Sequence, residues 1–201
     1  VEPPASPNII SADQTLCYLT QPNQITGTLP SGGNGVYTYT WQSSLDQFSW
    51  ISLPTETNQD FIPSTLIQTT YYRRLLSSGV CPEDTSNVVG VYVYPLIGNN
   101  VMGNDQTICS GSIPSVLTGT LPTGGNGNYT YVWESSSNNN AWSVVPGAIQ
   151  NDYAVPALTA SAYYRRIIIS GNCPNDTTLA VFILVEPPAS PNIISADQTL
   201  C

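Results

Sequence analysis

Covalent cross-linking in this sequence can come only from cysteine: the chain has 5 Cys, all four of its basic residues are arginines, and it has no His. Cys17 and Cys81 stand 64 residues apart, Cys109 and Cys173 repeat that spacing, and Cys201 follows Cys17 by 184. Thiols so spaced, in an oxidising compartment, make disulfides. The natural pairing is Cys17–Cys81 and Cys109–Cys173, one staple per repeat, with the partner of Cys201 beyond the sequence. Closing about 64 residues stabilises a domain by roughly 4 kcal/mol in the loop-entropy model. A row of interdomain disulfides, or free thiols, is the rival. Zinc is disfavoured because no second cysteine or histidine lies nearby in sequence.

The arginines come as Tyr71-Tyr72-Arg73-Arg74 and Tyr163-Tyr164-Arg165-Arg166. Neighbours in a strand face opposite ways, so one Arg of each pair faces solvent and the other lies along the interior or its rim, where it needs a partner. Asp60, Asp84, Asp152 and Asp176 recur in both halves and are the expected carboxylates for structural ion pairs with Arg73, Arg74, Arg165 and Arg166. Calcium between domains is the other use for such carboxylates, since Asp13 and Asp105 follow the linkers, but no D-x-D-x-D run accompanies them.

What is missing excludes more. A formal charge of −9, with 13 acidic residues and no basic patch, leaves no footprint for nucleic acid or anionic lipid. Without His or Lys the commonest general base, Schiff-base chemistry and the P-loop are gone, so we expect no enzyme and no cofactor. There is no run of 18 apolar residues, and Val1-Glu2-Pro3-Pro4 is neither a signal peptide nor an initiator, so the ends read as cut from something longer.

Two periods organise the chain. Residues 1–17 recur unchanged as 185–201, and residues 11–94 align with 103–186 without a gap, with 36 identities in 84 positions. The unit is therefore a pair of sister domains, residues 1–95 and 96–187, with 185–201 opening the next period of a tandem array. Each 184-residue period adds 11 carboxylates and 4 arginines, so a long array is strongly anionic.

Short alternating runs punctuated by Gly, Pro and Asn predict an all-β domain. Strands are expected near residues 7–12, 24–29, 36–43, 48–53, 59–62, 70–77 and 87–94, which suggests an immunoglobulin-like sandwich repeated along a linear array. Alternation places Tyr37, Tyr39 and Trp41 on one face, as it does Tyr129, Tyr131 and Trp133, and makes Trp41, Trp133, Tyr39 and Tyr131 core candidates. Pro30-Ser31-Gly32-Gly33-Asn34-Gly35 and its sister read as turns rather than anion cradles. Trp50 and Trp142 are placed in the core, exposure being the sign of a binding surface.

The string G-G-N-G-x-Y-T-Y-x-W (Gly32 to Trp41, Gly124 to Trp133), then Y-Y-R-R, then G-x-C-P (Gly79 to Pro82, Gly171 to Pro174), resembles the Ig-like or PKD-like repeats of giant Bacteroidota surface proteins. These include SprB-like gliding-motility adhesins exported by type IX secretion. The resemblance implies an extracellular, cell-surface filament. It also implies O-glycosylation after Asp, which Asp176-Thr177-Thr178 and, less well, Asp84-Thr85-Ser86 would accept at Thr177 and Thr85. The expected function is the stalk of a long filament or adhesin, its partners being neighbouring repeats of the same chain. The alternative is a multivalent module with weak loop sites for surface polysaccharide or other cells.

Overall fold

The computed structural model describes residues 3–189, so Cys201 and the rest of the recurrent segment from residue 190 lie outside the described residues. The described residues are all-β and form two immunoglobulin-like domains in tandem. The first repeat holds β1 (Gln14–Cys17), β2 (Thr38–Ser44), β3 (Ile51–Leu53), β4 (Thr70–Ser77), β5 (Asp84–Thr85) and β6 (Val89–Tyr94). The second repeats the pattern as β7 (Gln106–Cys109), β8 (Thr130–Ser136), β9 (Ser143–Val144), β10 (Ala162–Ile169), β11 (Asp176–Thr177) and β12 (Val181–Glu186).

The main sheet of the first repeat runs β1-β6-β4-β2-β3, with β5 also on β4; that of the second runs β7-β12-β10-β8-β9, with β11 on β10. Among the described residues only the outermost β1 and β7 pair in parallel, Cys17 opposite Tyr94 and Cys109 opposite Glu186. The facing layer is thin. It consists of isolated bridges, Ile10 to Gly27 and Ile25 to Phe61 in the first repeat, and Met102 to Gly119 and Leu117 to Tyr153 in the second. The expected strands over 7–12, 24–29 and 59–62 are thus reduced to bridges, while 70–77 forms in full as β4. The ladder is thin because backbone groups there are taken by side chains: the Gly27 amide donates to Asp60, and the Thr28 and Gln59 carbonyls accept from Arg74.

The core follows the alternation. In β4 every second residue from Thr70 is buried, so Tyr72, Arg74 and Leu76 face inward while Arg73 faces out. Trp41 is fully buried in a cluster with Ile10, Ile25, Phe61, Tyr72, Val89 and Val91, and Trp133 is its fully buried counterpart among Leu117, Val155, Tyr164, Val181 and Ile183. Each indole donates to a carbonyl, Asn58 or Gln150, at 2.9 Å.

By compactness the described chain divides into a unit of residues up to Gly98 with Thr123–Asn128 and Ser170–Pro174, and a unit of Asn99–Pro122, Tyr129–Ile169 and the residues from Asn175.

Burial pushes the Tyr72 phenol up to about 12, and Tyr164 shifts the same way. The folded state keeps its proton while an unfolded tyrosine, near 10, gives it up first. Stability should be fully present below pH 10 and decline by on the order of 2 kcal/mol as the pH rises towards 12. Urea midpoints measured across that range should show the decline, and Tyr72→Phe should flatten it; an unchanged slope in the variant would rule the tyrosine out as its source.

Candidate functional site

Two guanidinium groups occupy the interior. Arg74 and Arg166 are each 0% exposed. A buried cation is tolerated when each of its nitrogens is hydrogen-bonded. Arg74 donates from Nε to Asn8 Oδ1 at 2.9 Å, from Nη1 to the Gln59 carbonyl at 2.7 Å and from Nη2 to the Thr28 carbonyl at 3.1 Å. Arg166 donates to Asn100 Oδ1, the Asn151 carbonyl and side chain, and the Thr120 carbonyl. The Asn8 amide donates in turn to the carbonyls of Arg74 and Asp84, tying the leading segment to β4 and β5. Burial pushes both guanidinium groups below their ordinary range; Tyr39 and Asp60 counter the shift at Arg74, and Tyr131, Asp152 and Asp176 at Arg166.

The ion-pair expectation needs correction. Among the described residues Arg74 and Arg166 make no salt bridge, and the acceptors are carbonyls and amide oxygens. The reason is desolvation: a contacting carboxylate would add a second charge to bury, whereas a carbonyl adds none. Asp60 and Asp152 accept instead from the amides of Gly27 and Gly119 at 2.8 and 2.9 Å. Asp84 and Asp176 meet the hub through their backbone carbonyls, which accept from Asn8 and Asn100. The outward Arg165 does pair, with Glu134 at 2.6 Å, and its counterpart Arg73 donates to Gln42. The calcium candidates are also engaged: Asp13 accepts from the Gly90 amide and Asp105 from the Phe182 amide. Among the described residues no cluster of three metal-ligating side chains occurs.

Tyr39 and Tyr131 are half-buried rather than in the core. The guanidinium takes the interior space, and the rings lie over it with centroids 4.7 and 5.5 Å from Cζ. Trp50 and Trp142 are likewise half-buried and outside both core clusters, each stacked on the outward arginine, Arg73 or Arg165, at 4.2 Å. Asn8, Gln59 and their counterparts escaped the sequence reading, although Asn8 and Asn100 differ by the same 92 residues as every other repeated position.

The glycine-rich turn spends its amides internally. Gly33 donates to the Pro3 carbonyl, Asn34 to Ser78 Oγ and Val36 to the Asn34 side chain. Gly33 has φ +59°, and a Cβ there would lie 2.2 Å from Ser78 Oγ. Thr85 and Thr177, the glycosylation candidates, are exposed on β5 and β11.

The cysteines depart from the expected pairing. Cys17 is bonded to Cys173, 156 residues away, with Cα atoms 5.3 Å apart, and Cys81 and Cys109 are thiols. Both sulfurs of the bond lie in the first compact unit, because Ser170–Pro174 belongs to it. The physical reason is that a disulfide needs Cα atoms within about 7 Å, a condition set by folding and not by spacing.

The family described as "Domain of unknown function (DUF8696)" matches residues 6–95 and again residues 98–187. Among curated proteins none matches the sequence. Solved structures of similar fold include Sidekick-1 immunoglobulin domains 1–4, 15% identical with TM-score 0.43, covering 90% of this chain and 47% of that one. Sidekick-1 immunoglobulin domains 1–5 are 17% identical with TM-score 0.44, covering 89% and 36%. Rst D1-D2 is 11% identical with TM-score 0.48, covering 92% and 100%. The chain spans less than half the length of the Sidekick-1 chains.

Removing the buried cation should unfold its repeat. Arg74→Met leaves Asn8 and two carbonyls without their donor and should cost about 3–5 kcal/mol in urea denaturation. Gly27→Ala should be of similar sign, since its Cβ would stand 1.8 Å from Arg74 Nη1. Trp50→Ala, at the outer stack, should cost about 1 kcal/mol; a larger loss than Arg74→Met would show that the hub is not the keystone.

Proposed function

The chain belongs to the family described as "Domain of unknown function (DUF8696)", and from that premise we propose that it is the stalk of a long extracellular filament or cell-surface adhesin, built from tandem two-domain periods and without catalytic activity. One observation carries this: the two repeats share their interior and not the side chains at the tip of the loop after β2. Arg74 and Arg166 are held by equivalent partners throughout. The loop after β2 keeps its frame as well, with Asp46 accepting from Phe48 and Ser49 where Asn138 accepts from Asn140 and Ala141. What the frame presents is different: Leu45 and Phe48, 60% and 90% exposed, become Ser137 and Asn140. A ligand site replicated for avidity would keep its contact residues, whereas a spacer needs only its core.

The disulfide and the immunoglobulin-like fold are consistent with an extracellular protein. The resemblance to giant gliding adhesins supports a surface filament exported by type IX secretion, with neighbouring repeats as its first partners. The half-buried Trp50 and Trp142 favour a second reading, weak binding of surface polysaccharide or other cells. Against it, one ring face of each is covered by a guanidinium.

Native material, reduced and run under denaturing conditions with mass spectrometry, should give one species of hundreds of kilodaltons. A reduced mass near 20 kDa would overturn the stalk. Chelation should leave the melting temperature unchanged, because the Asp13 and Asp105 carboxylates are already held by backbone amides; a drop of several degrees would restore calcium as a structural ligand.

A further inference from the structure

The thiols Cys81 and Cys109 occupy the same positions as the two bonded sulfurs. Cys109 ends β7 as Cys17 ends β1, in the same parallel register against the last strand of its repeat. The residue after each donates to the carbonyl opposite, Tyr18 to Tyr94 at 3.0 Å and Ser110 to Glu186 at 2.9 Å. Cys81 sits in the turn of its repeat equivalent to the one that holds Cys173, its amide donating to the Ser78 carbonyl as that of Cys173 does to Ser170, at 3.2 and 3.1 Å. The bond seen joins the early cysteine of one repeat to the late cysteine of the next.

The segments that lead into the two repeats also dock alike. Gly33 donates to Pro3 and Gly125 to Pro95, at 2.8 and 2.9 Å, and Ser6 bridges Ser31 as Gly98 bridges Thr123. The sequence that follows β12 is the same Pro-Pro-Ala-Ser-Pro that leads into the first repeat. A junction from a second repeat to the next first repeat therefore has, on its two sides, local structure already present in this chain.

We propose that Cys81 and Cys109 are the two halves of a second disulfide of the same kind, so that in the array the early cysteine of every repeat is bonded to the late cysteine of the repeat that follows. Cys109 bonds the Cys81 equivalent of the next period, and Cys81 bonds the Cys109 equivalent of the period before. The spacing closes: 156 residues beyond Cys109 is position 265, which is also Cys81 advanced by one period of 184. Each bond forms by oxidation of two thiols. One thiolate attacks the disulfide of a dithiol–disulfide oxidoreductase, the second displaces the carrier from the mixed disulfide, and the electron pair and two protons leave as the carrier's dithiol. The proposal rests on the tandem-array reading.

The test is linkage mapping of native protein whose thiols are blocked with N-ethylmaleimide at acid pH before non-reducing digestion. All four cysteines have distinct flanking sequences: Thr15-Leu16-Cys17, Gly79-Val80-Cys81, Thr107-Ile108-Cys109 and Gly171-Asn172-Cys173. Expected are crosslinks of Cys17 with Cys173 and of Cys109 with Cys81, with no maleimide on any of them. Crosslinks of Cys17 with Cys81 and Cys109 with Cys173, or maleimide on Cys81 and Cys109, would overturn it. The mass of the reduced chain separates the two failures. A giant chain with the wrong linkages refutes the row of bonds alone, whereas a chain of one period refutes the array with it. A size that falls on reduction would mean bonds between chains, which also refutes it. Pulling single molecules separates the Cys17–Cys173 pairing from one staple per repeat, whatever the state of Cys81 and Cys109. Between successive bonds the taut path has the 28 residues from Cys173 to Cys201 per period, against two such stretches for one staple per repeat; unfolded length per period should be about half that of the stapled alternative.

Discussion

A guanidinium buried without a contacting carboxylate constrains most of each repeat. Its planar fork must find acceptors in a fixed geometry, so the chain brings three separate segments to it: the leading segment through Asn8, the segment after Gly27 through Thr28, and the segment before Asp60 through Gln59. Gly27 must lack a side chain to let it pass. Tyr39 is displaced outward to lie over it, and the facing layer gives up ladder carbonyls to it. The thin second sheet and the well-ordered first one are therefore two results of the same charge. Such a hub is specific more than it is stabilising: alternative packings would leave a desolvated cation with donors unused.

Much of this was legible in the sequence. Alternation located β4 to the residue, placed Trp41 inside and split each arginine pair between interior and surface. The partners of the inner arginine were not legible, because carbonyl acceptors carry no side-chain signature and Asn8 lies in a segment that reads as linker. Tyr39 shared the parity of Trp41 and was assigned its fate, but the interior beneath it was already filled by Arg74. The cysteine pairing failed for a reason peculiar to repeats. In a periodic sequence a pair 64 apart within one repeat is always matched by a pair 156 apart across two, and spacing cannot choose between them.

The same arrangement shapes the electrostatics. Two of the four cations are interior, and the others lie under tryptophan, one of them also paired with Glu134. The carboxylates used as acceptors, such as Asp13 and Asp60, brace backbone amides. The outer surface is thus more uniformly anionic than the net charge of −9 suggests, a property that favours solubility and mutual repulsion between neighbouring chains.

The bond between Cys17 and Cys173 also changes what a protease can do. Every peptide bond from Tyr18 to Asn172 lies inside the ring it closes. Exposed loop tips are where nicking concentrates, and Phe48, 90% exposed on the loop after β2, is such a site. A single cut there opens the ring without dividing the molecule: the two new ends remain joined through sulfur, and everything beyond the cut stays attached until a reductant reaches the bond.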